Sequence, residues 1–211
     1  MATSKDLVIT LPDYERIFRV IHGVLLNERC DPAHACMYFG IFGTFILQKH
    51  HRVKAEPVFG MAAYRLAGNV VLFAEQDADL IQGTPNGFHC WIEADGIAVD
   101  FQAPLFRDIT SRKDPPVTLD RKMIQKRLDL CSPTLEHLDK AGSHWYKRDD
   151  QLRSELLTNF IQKQANEDLG QICLEWYKPT PKKIAESILI GNQRGHSNNV
   201  PLSPVRLSGA W

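Results

Sequence analysis

The chain has 211 residues, 44% of them apolar and 24% charged, with 25 basic residues balanced by 25 acidic ones. That is enough chain to bury a core without staples, and the balance argues against a nucleic-acid or anionic-membrane binder, which carries a basic excess. No run approaches a membrane span, and the start MATSKDLVITLPDYERIF lacks the apolar block and cleavage site of a secretory signal; one domain over 1–211 and a cytoplasmic location are therefore expected.

Residues 12–29 place Ile17, Phe18, Ile21, Val24 and Leu25 at helical spacing. Pro12 suits a first turn, and Asp13 and Glu15 favour the positive end of the helix dipole. Asp31-Pro32 reads as the N-cap and first turn of a second helix. That helix runs to about Gln48 and is apolar nearly all round, with Gly40 and Gly43 as small residues, so it should be buried. His50 and His51 read as its solvated end. The period then changes. AEPVFGMAAYRL and NVVLFAE are short, β-rich and separated by Gly68-Asn69, a hairpin signal. A loop over 76–87 leads into FHCWIEADGIAVDFQ, residues 88–102.

Beyond Pro104, TLDRKMIQKRLDL, the long DDQLRSELLTNFIQKQANEDLGQICLEWYK and KKIAESILI read as helices. The tail 191–211 is rich in Gly, Asn, Ser and Pro and reads as irregular. Strands beside runs of helices give an α+β class. The expected architecture is a small antiparallel sheet packed on the buried helix of 34–48, with a helical extension over 118–190.

The hairpin carries the chemistry. Phe88, Cys90, Ile92, Ala94, Ile97, Val99 and Phe101 form one apolar set, while His89, Trp91, Glu93, Ala98, Asp100 and Gln102 form the other. Asp95-Gly96 favours a two-residue type I′ turn. The register then puts Ile92 opposite Val99, Trp91 opposite Asp100 and His89 opposite Gln102. His89 and Asp100 become diagonal neighbours, about 7 Å apart at Cβ, within hydrogen-bonding reach of their side chains. A one-residue slip would drive His89 into the core and Val99 out of it. An imidazole oriented by a carboxylate is the base half of a nucleophile–base–orienter set.

Five cysteines supply the candidate nucleophiles, none in a C-x-x-C pair, and free thiols are expected. Cys36 lies near the start of the buried helix, where the dipole and free amides stabilise a thiolate. Its rival Cys30 adjoins Asp31, whose negative charge would raise the thiol pKa. Cys90, Cys131 and Cys173 read as packing residues. His34, Cys36, His50, His51 and His89 show no H-x-x-x-H or H-E-x-x-H spacing, so no metal site is expected.

Cys36, then His89 with Trp91, then Asp100, in that chain order, resembles the papain-like/transglutaminase-like superfamily of thiol enzymes over residues 13–106; HCWIEADGIAVD is the strongest piece of the match. The helical C-terminal half has no counterpart there and suggests a small bacterial family of uncharacterised proteins. The resemblance implies a Cys36–His89–Asp100 triad and acyl transfer through a thioester, with no cofactor and a peptide or small amide or ester as substrate. Trp91 would cover the His–Asp pair and wall the substrate site. Asn27 and His34 are the oxyanion candidates. Two other functions fit: an acyl-CoA-dependent amine acetyltransferase with the same residue order, and a non-catalytic relative that binds a peptide or partner. Oligomeric state is not readable from the chain.

Overall fold

The structure is a computed structural model and describes residues 7–78, 80–191 and 195–211. Helix α1 (Leu11–Asn27) begins at Thr10, whose hydroxyl accepts the Asp13 amide, and buries the predicted stripe from Ile17 to Leu25. Helix α2 (Cys36–Ile46) follows a separate 3-10 turn, Pro32–His34, and ends in a π turn, Leu47–His51. Its small residues allow close approach to the sheet. A Cβ on Gly40 would collide with the Cys90 sulfur, and one on Gly43 with the Phe101 ring.

Strands β1 (Ala55–Leu66), β2 (Asn69–Phe73), β3 (Glu75–Asp77), β4 (Leu80–Gln82), β5 (His89–Ala94) and β6 (Ile97–Asp100) come next, then helix α3 (Phe106–Thr110). The turn between β1 and β2 falls at Ala67-Gly68, both with positive φ, one residue earlier than Gly68-Asn69. Strands β7 (Ile124–Arg127) and β8 (His144–Arg148), helices α4 (Asp150–Ile161) and α5 (Gln164–Trp176), and strands β9 (Ser187–Gly191) and β10 (Ser197–Pro201) complete the order. The fold is α+β around a curled antiparallel sheet.

Strand β1 organises that sheet. Gly60 pairs with His89 on β5 and with Arg148 on β8; Ala62 pairs with Phe73 on β2 and with Tyr146 on β8. Strands β5 and β2 therefore follow one another along one edge of β1, opposite β8. The end of β2 thus meets the start of β5. Beyond β5 the sheet continues through β6 to β7, while β3–β4 and β9–β10 form separate two-stranded sheets.

One sheet face packs Phe59, Cys90, Ile92, Val99 and Phe101 against α1 and α2. The hairpin's other face, expected to be polar and outward, is equally buried. It carries His89, Trp91 and Asp100 into a second apolar layer with Tyr64, Phe106 and Tyr146.

The C-terminal expectations need correction. TLDRKMIQKRLDL forms β7, because residues 124–127 pair along the free edge of β6 and bury Ile124 and Gln125. KKIAESILI supplies β9 instead of a helix. The long helix is two, parted at Gln162-Lys163, where the buried Asn166 side chain donates to the Phe160 carbonyl at 2.9 Å. The tail read as irregular contains β10, which pairs with β9, and buries Val200, Leu202 and Ser203. His50 and His51 are half-buried, with ring nitrogens 2.9 Å from the Leu174 carbonyl and 2.6 Å from the Tyr177 hydroxyl.

Candidate active site

The hairpin brings together the imidazole and the carboxylate expected to serve as base and orienter. Asp95 and Gly96 have φ of 50° and 77°, the positive values a type I′ turn needs. Ala94 pairs with Ile97 and Ile92 with Val99, as the pattern requires. His89 Nε2 then lies 2.7 Å from Asp100 Oδ2, with both side chains fully enclosed. A buried carboxylate is costly unless hydrogen-bonded. The Tyr64 hydroxyl also donates to Oδ2 at 2.8 Å, and the Gln102 amide donates to Oδ1 at 3.0 Å. The Asp100 backbone carbonyl accepts the Tyr14 hydroxyl.

Burial works against charge on His89. The Asp100 carboxylate and its hydrogen bond, then the Cys36 thiol, outweigh burial and raise the pKa from 6.5 to about 9. The ring nitrogen turned from Asp100, Nδ1, is buried and has no closed hydrogen bond among the described residues. The Cys36 thiol is near enough to act on the ring's charge. Catalytic hydrogen bonds are often loose before substrate binds.

The place of Cys36, the expected nucleophile, follows from two short turns. Asp31 does not cap α2; its carboxylate accepts the Ala33 amide at 3.1 Å and caps the 3-10 turn. Ala35 then resets the backbone, and Cys36 is the first residue of α2. Thr10 caps α1 and Asp149 caps α4 with side-chain oxygens, but no side chain caps α2. First-turn amides lie outside the i→i−4 ladder, so the head of α2 can receive negative charge. The Gln102 side chain secures the approach, with Nε2 donating to the Pro32 and Ala33 carbonyls at 3.2 and 3.0 Å.

Cys36 opens onto a cleft of about 300 Å³. The end of β2 forms one wall with Leu72, Phe73 and Ala74, and residues 85–88 form another. Phe73 lies on the His89 ring, with centroids 4.2 Å apart and planes at 25°. This stack is where β2 and β5 meet along β1.

The family described as "Protein of unknown function (DUF2026)" matches residues 10–211. The chain belongs to this family. It is also similar to a crystal structure described as that of a genomics target, at 36% identity, covering 97% of this chain and 98% of that one, with a TM-score of 0.88. No curated protein matches.

In this DUF2026 chain the expected site residues separate into two groups. Cys36, His89 and Asp100 come together. Trp91 does not reach the cleft. It is fully buried, stacks on Tyr146 at 4.8 Å and donates to Glu93 at 3.1 Å. Strand alternation puts it on the face of His89 but two residues deeper, and Phe73 covers the imidazole instead. Asn27 sits at the far end of α1, donating to Glu28 at 2.9 Å beside a different cavity. His34 reaches the cleft rim only, 70% exposed, where its Nε2 lies 3.4 Å from Arg112.

Cys30 lines another cavity, where burial and then Asp31 push its thiol pKa up. Burial also raises Cys90, Cys131 and Cys173. No three His, Cys, Asp or Glu side chains among the described residues converge as metal ligands. The sequence reading missed Tyr64, Phe73 and Gln102. Gln102 had a signal, since it shares a hairpin face with Asp100. Tyr64 and Phe73 reach the site only through the pairing of β1 with β2 and β5.

Proposed function

We propose that this chain is a thiol-dependent hydrolase or acyltransferase of the papain-like/transglutaminase-like kind, with Cys36 as nucleophile, His89 as base and Asp100 as orienter. One observation carries the reading. The His89 ring lies between a buried carboxylate at 2.7 Å and the thiol at the head of an uncapped helix.

The steps balance as acyl exchange. The thiol proton moves to His89, and the sulfur attacks an ester or amide carbonyl carbon. A C–S bond forms, and the carbonyl oxygen takes the charge against the Cys36 amide at the head of α2. The C–O or C–N bond then breaks as His89 returns the proton to the leaving oxygen or nitrogen. A thioester remains on Cys36. Water or an acceptor amine attacks it, gives its proton to His89, and the thiol is restored. Asp100 holds the ring orientation and stabilises the imidazolium throughout.

The experiment is a burst with p-nitrophenyl acetate. One equivalent of nitrophenol with an acetyl group mapped to Cys36, lost in Cys36→Ala and strongly slowed in His89→Ala, is the expected result. Added amine that captures the acetyl group identifies a transferase, and acetyl-CoA in place of the ester tests the CoA-dependent form. A folded wild-type protein with no acyl-Cys36 overturns the catalytic reading and leaves a binding module.

A further inference from the structure

The walls beside Cys36 combine apolar side chains with a few polar groups. Leu72 and Phe73 from β2, Pro85 and Phe88 from the loop before β5, and Ile109 from α3 present apolar surface. No Asp, Glu, Lys or Arg among the described residues lines this cleft. The nearest ion pair at the rim is Asp31–Arg112, which closes on itself at 2.5 Å and is half-exposed. The Gln102 amide is occupied by the Pro32 and Ala33 carbonyls. His34, at the exposed rim, and Asn86 are the other polar side chains of the lining.

The size bears on the part of a substrate seated beside Cys36. At roughly 30 Å³ per water, a cleft of about 300 Å³ holds on the order of ten waters, at the small end of ligand pockets.

We propose that the acyl group accepted by Cys36 is uncharged and apolar, an aliphatic or aromatic acyl chain no larger than one amino-acid residue. The inference rests on the thiol reading above and adds the substrate class. A carboxylate or ammonium carried past His34 at the rim loses its hydration and meets no Asp, Glu, Lys or Arg on the walls. Each methylene buried there raises the acylation rate constant about fourfold, until the cleft is full.

The test uses p-nitrophenyl esters of acetic, butyric, hexanoic and succinic acids, which share one leaving group. Acylation of Cys36 is followed by nitrophenol release and peptide mapping. Butyrate should exceed acetate by about tenfold or more. Succinate, which places a carboxylate where butyrate ends in methyl, should fall at least about tenfold below butyrate. Ile109→Lys leaves the triad untouched and puts an ammonium on the wall; it should raise the succinate-to-butyrate ratio by about tenfold. Equal rates for succinate and butyrate, or no dependence on chain length, overturn the substrate class while leaving the thiol reading intact. If no ester acylates Cys36, both fall together.

Discussion

The Tyr64 hydroxyl donates to the same Asp100 oxygen that His89 engages, at 2.8 Å. The tyrosine comes from β1 and the carboxylate from β6, so this bond ties Asp100 to the strand that organises the sheet. Tyr64→Phe keeps the ring and removes the donor. A lost hydrogen bond to a charged group costs about 2 kcal/mol. Urea denaturation should show that loss, and Cys36 acylation should slow less than in His89→Ala. Unchanged stability and rate would remove Tyr64 from the site.

Gln102 joins Asp100 to the turn that leads into Cys36. Its backbone amide holds Asp100, and its side chain holds the turn that leads into Cys36. Side-chain substitution leaves the first bond and deletes the second. Gln102→Leu should slow Cys36 labelling about tenfold, the cost of misplacing one reactant by a fraction of an ångström. Gln102→Glu should be worse, because its carboxylate faces two carbonyl oxygens. Labelling at the wild-type rate in both variants would show that the turn needs no such tether.

The raised His89 pKa makes a prediction about stability. The folded value is about 9 against 6.5 for the free group, so the folded state holds its proton more tightly. The resulting stabilisation is complete below about pH 6.5 and disappears as the pH rises through about 9. Burial lowers the pKa of His22, His51 and His144, which act in the opposite sense on the acid side. Unfolding free energy measured from pH 6 to 9 should decline, with a shallower slope in His89→Gln. Equal slopes in the two proteins would contradict the imidazolium assignment.

The thiol beside that imidazolium should react first. Iodoacetamide at pH 6, where a free thiol of pKa about 8.5 is almost wholly protonated, should modify Cys36 before the other four cysteines. His89→Ala should abolish that preference. Faster labelling of Cys30, the thiol beside Asp31, would reverse the assignment of the nucleophile.

The hairpin, its turn and the buried helix were legible in the chain because each depends on neighbours in sequence. The period-2 pattern and Asp95-Gly96 define one register, which brings His89 and Asp100 together. The C-terminal third depends on distant partners. Ile124–Arg127 has a helical composition, yet pairing Asp100 with Ile124 and Val99 with Gln125 satisfies an open edge that local propensity does not register. Gln125, polar in sequence, is buried because its side chain serves the Val8 and Ile9 amides and the Ile9 carbonyl. The break between α4 and α5 has no Gly or Pro to announce it. Trp91 illustrates the limit of a face assignment: alternation named its side of the strand but not its depth.

The two ends of the excursion between β2 and β5, Ala74 and residues 85–88, line the cleft, while Cys36, His89 and Asp100 stand on α2 and the main sheet. Insertions, deletions or exchanges in that excursion can reshape the lip without moving the thiol, the ring or the carboxylate. On the proposed chemistry, substrate preference would be free to diverge by loop replacement while Cys36, His89 and Asp100 stay in place, and laboratory evolution toward bulkier esters would start at residues 85–88.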